Sequence, residues 1–88
     1  DPLHIEVKAS IGGWRGGVLH LTRNECDKSR ECGDNYQFHL WDLSSEKPKL
    51  LIVSSPDVLQ HVPIDSGEGR WESVAIGFKS FNWDECID

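Results

Sequence analysis

The chain has 88 residues, a formal net charge of -6, three cysteines, four tryptophans and no methionine. That length fits one domain spanning 1–88, which at this size has marginal stability unless a disulfide, metal or partner adds to it. The acidity excludes nucleic acid as a partner, because Lys28 and Arg30, the nearest approach to a basic cluster, lie among Glu25, Asp27, Glu31 and Asp34 and phosphate binding needs a basic stripe.

Leu3, Ile5, Val7 and Ala9 interleave with His4, Glu6, Lys8 and Ser10, an alternation that predicts a first strand over Leu3 to Ser10 with its apolar side inward. Gly12 and Gly13 turn it, Gly16 and Gly17 follow, and a second strand is expected over Val18 to Arg23. The polar segment Asn24 to Asn35 reads as a surface loop. Tyr36 to Leu43 is the third strand and Leu50 to Val53 the fourth, joined by a turn that ends in Lys47-Pro48. Pro56 and Asp57 break the fourth strand, and a short fifth strand is expected between Val58 and Ile64, with Pro63 at an edge. After Asp65-Ser66-Gly67-Glu68-Gly69, the sixth strand runs from Trp71 to Phe78.

These elements predict an all-β fold, a small six-stranded antiparallel β-sandwich or partly open barrel. Its expected core is Leu3, Ile5, Val7, Leu19, Leu21, Phe38, Leu40, Leu51, Val53, Val74 and Ile76. With the first strand placed centrally, antiparallel to the second and the last, Cys26 or Cys32 would meet Cys86; a local Cys26–Cys32 bridge is the rival pairing. No run of about 18 apolar residues spans a membrane. The chain opens on Asp1 with neither Met nor leader, which reads as the mature end of a secreted protein whose cysteines can oxidise.

No catalytic site stands out. Asp65-Ser66-Gly67 matches the triplet of aspartic proteases, but only a short tail follows it, and a polar turn accounts for it. No G-x-S-x-G elbow presents a serine, and Cys26 and Cys32 lie among carboxylates that disfavour a thiolate. His4, His20, His39 and His61 are expected on strand faces turned to solvent, and the acidic loops lack calcium-loop spacing, so neither metal nor cofactor is expected. Trp14, between glycine pairs, and Trp83, in a polar tail, read either as sugar-stacking platforms and interface anchors or as additions to a small core.

The stretch Tyr36-Gln37-Phe38-His39-Leu40-Trp41-Asp42-Leu43, followed by Ser44-Ser45-Glu46-Lys47-Pro48-Lys49-Leu50-Leu51-Ile52-Val53 and preceded by the Gly12-Gly13-Trp14 elbow, resembles the strand order of the MAX effectors of plant-pathogenic ascomycete fungi. The resemblance implies a secreted, non-enzymatic virulence effector that binds host plant proteins, some members doing so by pairing the edge of their second strand with a host sheet. Here that edge is Val18, Leu19, His20, Leu21 and Thr22, with Trp14 beside it. The expected partner is a host protein, met outside or inside host cells. The expected state is a monomer, or a dimer linked through the odd cysteine. A carbohydrate-binding module using its tryptophans is the alternative function.

Overall fold

The computed structural model describes residues 2–63 and 71–87. Its elements in chain order are β1 (His4–Ser10), β2 (Val18–Thr22), α1 (Arg23–Cys32), β3 (Tyr36–Asp42), β4 (Lys49–Ser54), α2 (Ser55–Leu59) and β5 (Ser73–Gly77). Among the described residues these strands form a three-stranded sheet, β1-β3-β4, and a two-stranded sheet, β2-β5. β1 runs parallel to β3, whereas β3–β4 and β2–β5 are antiparallel. The fold is thus small and strand-rich with two helices and open sheets, not an all-β sandwich or barrel. The expectation of a central first strand flanked by the second and the last is also corrected, because β1 is an edge strand beside β3.

The expected loop over Asn24 to Asn35 is mostly helix α1. Its start is a capping box: the Thr22 hydroxyl accepts the Glu25 N–H at 3.1 Å while Glu25 Oε1 accepts the Thr22 N–H at 2.9 Å. Two orphan donors of the first turn are satisfied this way. Cys26 and Ser29 give the helix its buried face, and Gly33 ends it at a positive φ of 57°, a conformation that costs glycine little. The expected fifth strand is also replaced in part. Ser54 caps α2 by accepting the Asp57 N–H, and Pro56 sits in the first turn, where its missing N–H breaks no helical bond.

β3 organises the core. Tyr36, Phe38 and Leu40 point inward from it and are buried with Leu51 and Val53 of β4, Leu19 and Leu21 of β2, and Ile76 of β5. Cys26, Val58, Phe78 and Trp83 complete the cluster, and Val74 packs half-buried against it. Three expected core residues are outside it: Leu3, Ile5 and Val7 are 50%, 44% and 56% exposed. Alternation defines two faces of a strand but does not say which one faces inward. In β1 the half-buried set is Glu6, Lys8 and Ser10, because α1, the element on that side, is polar and offers Glu25 to Lys8.

Candidate functional site: the open sheet face and the polar row beneath it

Strand register sets out the surface. Ile5, Val7 and Ala9 of β1 lie beside Gln37, His39 and Trp41 of β3, which lie beside Ser54, Ile52 and Leu50 of β4. Val7 and Ile52 therefore flank His39, whose Nε2 is 3.2 Å from Gln37 Oε1. Ile52 is exposed as Ile5 and Val7 are, so an apolar band runs across one side of the sheet around a small polar centre. Hydrophobic side chains standing together in solvent mark contact surfaces more often than isolated ones do.

The opposite side of β1 carries a polar row that sequence reading assigned to solvent. Lys8 Nζ lies 3.1 Å from Glu25 Oε2, the Tyr36 hydroxyl donates to Glu6 Oε1 at 3.2 Å, and the His4 ring stacks on Tyr36 at 4.3 Å. Burial raises the Glu25 carboxyl, but hydrogen bonds from Thr22 and Lys8, with the Lys8 charge, outweigh it and hold the group below its ordinary value. Burial, with Glu6 and Glu25 nearby, pushes the Tyr36 phenol well above its usual range. The one sequence signal for this row was the spacing Thr22-x-x-Glu25, which fixes Glu25 at the start of α1.

A second polar corner gathers around Asp42. Its Oδ1 accepts the Ser44 hydroxyl at 2.6 Å and the Ser44 N–H at 2.9 Å, and its Oδ2 accepts the Trp14 N–H at 3.1 Å. The Ser44 hydroxyl bond foremost, then these N–H groups and the Lys49 charge, hold the carboxyl below its ordinary value despite burial. Gly13, at φ 90°, turns the chain here in a conformation that other residues rarely adopt, with the Ser44 side chain 3.0 Å from where a Cβ would stand.

The tryptophans are packed. Trp83 is 6% exposed and stacks on Phe78, and Trp14 is half-buried, with Trp83 stacked at 6.1 Å and the Arg15 guanidinium 5.2 Å from the ring centroid. The expected β2 edge has Leu19 and Leu21 buried and Val18, His20 and Thr22 exposed, and its only strand neighbour among the described residues is β5.

No disulfide joins the cysteines. Cys26 is buried, while Cys32 and Cys86 are half-buried free thiols, Cys32 lining a cleft of about 460 Å³ with His4 and Lys28. His20 is solvent-facing, but His61 packs its ring on Phe81. Among the described residues no group of three His, Cys, Asp or Glu is placed to hold a metal ion, and no helix is long and apolar enough to cross a membrane. Asp65-Ser66-Gly67 lies outside the described residues.

No curated protein and no solved structure matches the chain. A family model does: the one described as Protein NO VEIN, C-terminal, matches residues 1–53, a span that holds β1, β2, α1, β3 and most of β4. This match corrects the resemblance to MAX effectors, which rested on a strand order that the structure does not share: the first strand is an edge, parallel to the third. The chain, more than half of it covered by that match, belongs to the Protein NO VEIN, C-terminal, family.

Proposed function

We infer that the chain is a non-enzymatic protein-binding module whose main contact surface is the open face of the β1-β3-β4 sheet. The observation that carries this reading is the joint exposure of Ile5, Val7 and Ile52 on one side of a sheet whose other side is the core. Full burial of such a side chain is favourable by roughly 1.5–3 kcal/mol, so a partner covering three half-exposed ones gains several kcal/mol before ordering costs. The His39–Gln37 pair in the middle of the band supplies polar selectivity. The β2 edge over Val18 to Thr22 offers a second, smaller surface suited to an added strand.

A photo-crosslinking amino acid at Ile52, compared with one at Glu46 in the exposed turn before β4, tests it. A polypeptide joined at Ile52, not at Glu46, and lost in a Val7→Asp variant of unchanged fold supports the open face. Equal capture at both positions, or capture that survives Val7→Asp, rules it out.

A second reading is favoured by the row Glu6–Lys8–Glu25. An ammonium fixed beside Glu25 and two residues from Glu6 on the same strand face can steady the negative charge that develops on an ester's oxygens while the Glu6 carboxylate takes a proton from an attacking water and returns it to the leaving alcohol. Hydrolysis of an anionic ester is the reaction class. Turnover of a simple phosphodiester that disappears in Lys8→Ala would establish it, and none in the intact chain would dismiss it. The carbohydrate alternative has less support, since the ring of Trp14 is already stacked on Trp83.

A further inference from the structure

β1 ends the three-stranded sheet, and nothing among the described residues pairs with its outer side. An unpaired edge is a template for another strand. We propose that the edge pairs with β1 of a second copy of this chain, antiparallel, about a two-fold axis through Val7, giving one six-stranded sheet.

In an antiparallel pair, residues directly opposite share a face, and a two-fold axis perpendicular to the sheet permits only registers that differ by whole two-residue steps of pairing. With the axis at Val7, Glu6 faces the second copy's Lys8 and Lys8 faces its Glu6, on the side where both residues already lie half-buried. Ile5 then meets Ala9, Val7 meets Val7, and Leu3 meets Ile11, which at 83% exposure is the most solvent-exposed large apolar residue described. Moving the axis to Glu6 sets two Glu6 carboxylates opposite each other. Moving it to Lys8 does the same to two ammonium groups. Like charges directly opposed are destabilising, so of these three registers the sequence Glu6-Val7-Lys8 selects the one centred on Val7, which alone sets Glu6 opposite Lys8.

The existing contacts allow it. Lys8 directs one donor to Glu25 at 3.1 Å, which leaves others for an incoming carboxylate, and the contacts of Glu6 with Tyr36 and His4 fall on Oε1, so Oε2 is open. The pairing leaves the open face uncovered and joins the two copies' apolar bands into one. It stands independently of the protein-binding reading, and either can fail without the other.

Sedimentation of the intact chain at concentrations up to about 1 mM should give a species of twice the 10.0 kDa mass. Lys8→Glu and Glu6→Lys should each raise the dimer dissociation constant by about tenfold or more, while an equimolar mixture of the two variants should regain the dimer, since each then offers the charges the other lacks. Circular dichroism of each variant checks that its fold is intact. Because Lys8→Glu also breaks the pair with Glu25, a second variant fixes the register: with Cys32 and Cys86 changed to Ser, Val7→Cys should oxidise to a symmetric dimer, and Ile5→Cys or Ala9→Cys alone should not. A monomer at the highest concentration, a mixture that stays monomeric, or crosslinking at Ile5 or Ala9 as readily as at Val7 overturns the proposal.

Discussion

Lys8 Nζ reaches the same Glu25 side chain that caps helix α1, 3.1 Å to Oε2 while Oε1 holds the Thr22 N–H at 2.9 Å. One carboxylate thereby ties the edge strand to the start of the helix. Thr22→Ala removes the hydroxyl half of the capping box and should lower stability by about 1 kcal/mol in urea unfolding. An unchanged midpoint would show that the hydroxyl half of the box contributes nothing.

The Glu25 carboxyl lies below its ordinary value of 4.5 and that of Asp42 below 3.8. A depressed carboxylate stabilises the fold above its unfolded value, and that contribution is lost as the pH falls through the lower, folded value. The thermal midpoint should thus drop on acidification below about pH 4.5, and Asp42→Asn should both lower stability at neutral pH and flatten the acid limb. An acid limb as steep in Asp42→Asn as in the parent would remove Asp42 from this account.

Truncations in β3 and β1 should separate core from face. Phe38→Ala, at a fully buried site, should cost about 3–5 kcal/mol, enough to unfold a domain of marginal stability. Val7→Ala, on the exposed band, should stay within about 0.5 kcal/mol under dilute conditions. Equal costs at the two sites would mean that the apolar face of β1 is covered after all.

The thiols should differ in reach. Cys32 and Cys86 are half-buried and Cys26 is buried, so a thiol reagent should label the first two in the folded protein and the third only in denaturant. Early labelling of Cys26 would place α1 off the core.

His20→Pro tests the smaller surface. Proline removes a backbone donor from β2, so a partner that adds a strand there should be lost while binding at Ile52 persists. Binding of all partners unaffected by His20→Pro, in a variant that stays folded, would remove the β2 edge from the reading.

β1, β3 and β5 lay close to where period-two alternation put them, β2 and β4 close to where the glycine pairs and a continuous apolar run did, and Leu19, Leu21, Phe38, Leu40, Leu51, Val53 and Ile76 were legible as core. What was not legible has physical causes. Helix α1 has only Cys26 and Ser29 buried, too weak an apolar stripe for periodicity to register, so its capping box was the one cue. The partner of β1 is decided by a long-range pairing that no local pattern encodes. The inversion of β1 follows from that pairing: once Tyr36 stacks on His4 and donates to Glu6, the even-numbered side chains are committed to the helix side and Ile5 and Val7 to the open one. The polar row was therefore hidden in a segment that reads, residue by residue, like an ordinary half-buried strand.

The parallel pairing of β1 with β3 also sets an order on folding. Each residue of β1 finds its neighbour only beyond the glycine elbow, β2 and α1, a crossover that cannot be shortened to a hairpin. During synthesis His4–Ser10 emerges before its partner and has no sheet to join until Tyr36–Asp42 follows it. Loop closure over that distance is slow compared with the β3–β4 hairpin, so the three-stranded sheet should grow from β3–β4, with β1 the last strand to dock.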